Sequence, residues 1–259
     1  MLRLPSGLLV PKGGVIAPGC KSPPFGGMIG GRLQRGSSTA AFTPASIPGL
    51  VLWLDATDLS TLFQDSSLTT PVAANSDPVG GWKDKSGGNK NATQTVAGSK
   101  PLYKTNILNG LAGILCDPTD DQLTTALNLT TPYTIAVIEK SVSASISRTI
   151  GATENNIIAG NRNALNNAFI NINVSNYQTG DTNGHLLILN AAGGGATYWV
   201  DNLDRTSTPG VTGNWSALTV SVSTESANAY VFQVLAYSRS ITIAEQTQLK
   251  TWANGLYGI

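Results

Sequence analysis

From residue 47 onward, short apolar runs alternate with clusters of Gly, Asn and Pro, a spacing that predicts strand, turn, strand. The first run, Leu50 to Leu54, lies between Pro48-Gly49 and Asp55. It is too short for a buried helix and predicts a buried strand that opens a domain. Gly87, Gly88 and Asn89 predict a tight turn, with Ala92, Gln94 and Val96 on the returning strand, and 113–117 reads as another buried strand. Residues 120–123 start a further edge. Tyr133 to Ile138 is the most strand-like hexamer, aromatic or β-branched nearly throughout. Further strands are predicted around 149–150, 156–159, 168–174, 185–189, 197–200, 217–222 and 231–237. One helix stands apart near the end. Thr242 to Glu245 fits a capping box, Leu249, Trp252, Ala253 and Leu256 line one face, and Gly258 supplies a left-handed stop. The pattern predicts an all-β, two-sheet jelly-roll sandwich with a short C-terminal helix.

Residues 1–46 follow different rules. They hold nine Gly and six Pro with no sustained period, so this segment alone cannot offset its ordering entropy. Apolar residues such as Leu8 and Phe25 nevertheless recur along it, unlike the polar filling of a flexible spacer. Up to residue 54 there are five basic residues (Arg3, Lys12, Lys21, Arg32, Arg35) and no acid, which leaves 11 basic against 15 acidic residues beyond. A basic arm, 1–46, therefore precedes a mildly acidic domain, 47–259. Arg3, Leu8, Lys12, Lys21, Phe25, Arg32 and Arg35 are the expected anchoring positions, with the arm ordering on docking.

At 12% charged residues and net charge +1, the whole chain shows no footprint for nucleic acid, and the arm's spread charges better fit an acidic protein surface. No stretch approaches the roughly 18 to 20 apolar residues of a membrane helix. Pro5 and Pro11 interrupt the apolar start, so no signal-peptide core is predicted. Cys20 and Cys116 fall one in the arm and one in the domain and read as free thiols, Cys116 in the core.

Four separated pieces share one pattern: GLVLWLDATD at 49–58, WKDKSGGNKNATQ at 82–94, LNGLAGILCDPTDDQL at 108–123 and VLAYSRSITIAEQTQLKTWANGLYGI at 234–259. Over 47–259 the chain resembles the concanavalin A-like, laminin G-type jelly-roll domains of bacteriophage structural proteins and bacterial surface proteins. It departs from them at Cys116, where Phe is common, and at Pro118, in place of the usual Gly. The resemblance implies adhesion, glycan binding or virion building. The expectation is a non-enzymatic accessory protein on the surface of a phage-like virion, on capsid or tail, partnered by the major capsid or tail protein and homo-oligomeric, with a trimer as the guess. The alternative is a glycan- or receptor-binding module on a cell surface, with the arm as spacer.

Catalysis has little to build on. His185 is the only histidine and no G-x-S-x-G accompanies it. A glycosidase needs two carboxylates facing each other across a cleft, whereas Glu139, Glu154, Glu225 and Glu245 are isolated in sequence. Asp117, Asp120 and Asp121 cluster around a turn, where they either bind Ca²⁺, the one cofactor considered, or cap turn N–H groups. Trp82, Trp199, Trp215, Tyr177 and Tyr198 are the aromatics proposed for stacking on a glycan, while Trp53 and Trp252 read as core.

Overall fold

The computed structural model describes residues 41–143, 147–152, 157–162, 165–170, 172–173, 181–193, 195–206, 218–223 and 228–259. The seven arm positions, Tyr177, Trp215, Glu154, Glu225 and Cys20 lie outside these residues.

Two antiparallel sheets form the sandwich. Sheet A contains β1 (Leu50–Asp55), β5 (Leu102–Leu108), β6 (Leu111–Cys116), β8 (Tyr133–Ser141), β13 (Gly184–Ala192), β14 (Gly195–Val200), β15 (Leu203–Asp204) and β17 (Ala229–Tyr237). Sheet B contains β2 (Leu62–Phe63), β3 (Gly81–Trp82), β4 (Ala92–Thr93), β7 (Leu123–Leu129), β9 (Ser147–Ala152), β10 (Ile157–Arg162), β11 (Leu165–Ile170), β12 (Ile172–Asn173) and β16 (Leu218–Val222). The order in sheet A is β15-β14-β13-β8-β17-β6-β5, with β1 also on β17; in sheet B it is β12-β11-β10-β9-β16-β7-β4-β3-β2. Among the described residues a single α-helix, α1 (Ile243–Tyr257), follows the last strand.

Alternation along the strands sorts side chains into two cores. Between the sheets lie Ile135, Val137, Leu187, Leu189, Tyr198, Leu127 and Val220. On the other face of sheet A, Ala136, Ile138, Leu186, Ile188, Phe232 and Leu235 pack with Leu249, Ala253 and Tyr257 of α1. With both faces covered, β8, β13 and β17 are buried almost throughout, so they read as continuous apolar runs.

The fold departs from the sequence pattern in four places. It takes in residues before 47: Pro44 is buried, and its carbonyl accepts from the Tyr237 hydroxyl at 3.2 Å. β7 is interior, between β4 and β16, where an edge was expected. β5 spans seven residues where the sequence pattern predicts no strand, because Lys104, Thr105 and Asn106 leave it largely polar and without alternation. The docked face of α1 is Gln246, Leu249, Ala253 and Tyr257, whereas Trp252 is half-buried and Leu256 is exposed.

The turn after Trp82 has a structural task. Asp84 Oδ1 accepts from the N–H groups of Trp53 at 2.9 Å and Ser86 at 2.8 Å, and Oδ2 accepts from the Lys90 N–H at 3.0 Å. One carboxylate thus ties β1 to a loop that reverses at Gly87, where φ is +87°. Lys85 reaches back to Asp55 and Asp58, each at 2.8 Å, and lies 4.7 Å from the Trp53 ring centre.

Candidate ligand-binding groove

The aromatics expected on a glycan-binding face are separated by the pleat. Trp82 and Tyr198 are fully buried between the sheets, so neither offers a ring face to a ligand. This corrects the sequence reading for both. Trp199, next to Tyr198 on β14, points the other way and is half-buried. Its indole N–H donates to Thr197 Oγ1 at 3.2 Å, fixing the ring along its own strand.

Trp199 lines a groove of about 330 Å³ between β13, β14 and the start of α1. That volume is at the small end of ligand pockets, about 300 to 1,000 Å³. Thr197 and Asn190 come from the strands, Thr242 and Gln246 from the start of α1. None of the described residues lining the groove is charged. Asn190 is 7% exposed, and its Oδ1 accepts from Thr134 Oγ1. Gln246 is 2% exposed, and its Oε1 is buried without a hydrogen-bond partner. A buried amide left unpaired is costly in a finished core, at about 1 to 3 kcal/mol. Sequence reasoning named Trp199 but missed Asn190, which reads as an interruption of an apolar run, and Gln246, which stands in a polar stretch of α1 and looks like a solvent residue.

At the mouth of α1 the charges are already matched. Glu245 accepts from the Thr242 N–H at 2.7 Å and pairs with Arg239, which holds its carboxyl down at about 2.

The acidic turn lies elsewhere, beside a cavity of about 260 Å³ lined by Lys100, Leu102, Leu115, Asp117 and Asp121. One carboxylate oxygen from each of Asp117, Asp120 and Asp121 falls within 4.8 Å of the others, a spread that oxygen ligands of one Ca²⁺ can have. Each carboxylate also has a protein partner: Asp121 accepts from the Asp117 N–H, Asp117 from the Thr119 N–H, and Asp120 from Ser99 Oγ. Burial, with Asp117 and Asp120 alongside, raises Asp121 to about 6.

His185 is held between carboxylates, Nδ1 at 2.6 Å from Asp201 and Nε2 at 2.9 Å from Asp181. Burial opposes its charge, but these two partners prevail and raise it to about 9. Lys250 of α1 joins Asp201 at 2.9 Å, linking the helix to the turn after β14 and, through His185, to the start of β13. Glu139, 1% exposed, faces the inter-sheet core, and burial pushes it up to about 7.

No protein-family model matches the sequence, and no curated protein is similar to it. Solved structures share its fold. A Trypanosoma rangeli sialidase, in complex with 2,3-difluorosialic acid as a covalent intermediate, is 11% identical with a TM-score of 0.51; the match covers 79% of this chain and 33% of that one. Domain 4 of AbnA, a GH43 extracellular arabinanase from Geobacillus stearothermophilus, in complex with arabinotriose, is 10% identical with a TM-score of 0.55, over 78% of this chain and 98% of that one. The binding domain of Paraclostridial Mosquitocidal Protein 1 is 12% identical with a TM-score of 0.53, over 82% and 54%. The chain thus spans about a third of the length of the sialidase it matches. At these identities the likeness is one of fold: all three contain a β-sandwich of this kind.

Proposed function

We propose that this protein is a non-catalytic accessory protein of a phage-like particle, attached by its basic arm and displaying a sandwich that recognises a ligand. The observation that carries this reading is the division of the chain. A folded unit begins at Ala41, and before it lies a Gly/Pro-rich segment with five basic residues and no acid. Such a segment can cover a wide acidic surface while the sandwich stays free to bind. The state of His185 supports a non-catalytic role, since an imidazolium clamped by two carboxylates is a poor general base near neutral pH.

Co-sedimentation with particles assembled without this protein tests the attachment. The expected result is that the full chain pellets and the 41–259 truncation stays in solution. Equal pelleting of both would move the contact to the sandwich, and pelleting of neither would overturn the particle reading.

A second reading, a glycan- or receptor-binding module with the arm as spacer, draws on the groove at Trp199. The arabinanase domain of like fold, covered almost entirely by the match, is in complex with arabinotriose, which adds to that reading.

A further inference from the structure

We infer that the groove between β14 and the start of α1 is a binding site for a neutral saccharide, with Trp199 as the stacking platform and Asn190 and Gln246 as the amides that orient the ring. The inference rests on the reading that the sandwich is a recognising module.

Three features select this ligand class. Sugars present an apolar C–H face and a rim of hydroxyl groups, so they need one aromatic surface with donors and acceptors at its border. The half-buried indole of Trp199 is that surface, and Thr197 Oγ1 holds it in place. The border is amide and hydroxyl, from Asn190, Thr197, Thr242 and Gln246, and Gln246 carries a buried Oε1 with no partner. A ligand hydroxyl, or a water held by one, would remove that penalty, which a wholly apolar ligand could not do. Charge then excludes the acidic sugars. No charged side chain is among the described residues lining the groove, and Glu245 with Arg239 already neutralises the positive end of α1 that would otherwise favour an anion. The volume fits one or two sugar rings.

Tryptophan fluorescence titration of the full chain is the test, with neutral probes (arabino-, xylo- and gluco-oligosaccharides) and an acidic one (sialyllactose). The expected result is saturable binding of at least one neutral probe, weakened about tenfold or more in W199A and in Q246A. It should be unchanged in W252A, which removes a half-buried tryptophan outside the groove. Retained melting temperature in W199A establishes that the loss is local; should W199A unfold, T197A, which only frees the indole, is expected to weaken binding more mildly. Neutral-probe binding that survives both W199A and Q246A would overturn the groove while leaving the sandwich a recognising module. Binding of sialyllactose alone would overturn the neutral class, and binding of no probe would overturn the site. Attachment, read independently by sedimentation, is unaffected by any of these results.

Discussion

His185 shows how much one residue's partners decide. Its folded-state value is about 9 against an ordinary 6.5. Its contribution is therefore fully present below pH 6.5 and lost as pH rises through 9, and is on the order of 2 kcal/mol once partial solvent access is discounted. Glu139 adds an earlier decline. Raised to about 7 from 4.5, it keeps a proton that the unfolded chain releases, so stability falls as pH rises from 4.5 to 7. Melting temperatures from pH 4 to 10 should thus fall over two windows, with H185Q abolishing the upper decline and E139Q reducing the lower, to which Asp121, raised to about 6, also contributes. E139Q should also be the more stable protein at pH 8. The acidic turn gives a separate expectation. Since the carboxylates of Asp117, Asp120 and Asp121 already accept protein hydrogen bonds, adding chelator should leave the melting temperature unchanged, and a fall would establish a bound cation. At this scale the sequence was half legible. Tyr198 and Trp199 are adjacent, so the pleat must put them on opposite faces, but only the register tells which one is buried. Trp82 sits in a two-residue strand, too short to show any phase.

At the scale of elements, the signals with fixed local chemistry were readable in advance. Thr242 and Glu245 form the expected capping box, and Gly258 closes α1 at φ +71°. T242A removes the acceptor for the Glu245 N–H, so it should cost about 1 kcal/mol, seen as a lower urea midpoint with unchanged slope. The helix should stay docked in that variant, because Leu249 and Ala253 remain buried on sheet A. Which face of α1 docks was not legible. Leu256 and Trp252 are as apolar as Leu249, and Gln246 looks like a solvent residue, yet Gln246 is inside and Leu256 is out. Helical spacing offers several overlapping stripes, and the outer face of sheet A chooses among them. β5 was missed for the converse reason: its middle is exposed, so it carries no apolar run.

For the whole molecule, β17 is the axis, and a single irregularity lets it serve three neighbours. Its register shifts between Val231 and Gln233. Before the shift one edge pairs with β6, and after it the same edge pairs with β1, while β8 occupies the other edge throughout. The extra residue also puts the Gln233 amide where it donates to Asp55 and Tyr257 and accepts from the Trp53 indole. Phe232 beside it turns outward, fully buried, and meets the Tyr257 ring at 5.4 Å between centres. Nothing in the sequence marks this bulge, because the run from 231 to 237 reads as one continuous strand. The close approach that Gly113 allows gives it a test. A Cβ there would stand 2.8 Å from Cε1 of Phe232, whose ring also packs against Tyr257. G113A must therefore displace a packed ring, at about 1 to 3 kcal/mol for overpacking. If β17 couples the sandwich to the helix as the packing indicates, the displacement passes through Phe232 to Tyr257. Hydrogen exchange should then quicken in the last turn of α1 as well as in β6, although α1 lies more than a hundred residues along the chain. Quickening confined to β6 would mean that the helix rides on Leu249 and Ala253 alone, and that the Phe232–Tyr257 contact carries little of the coupling.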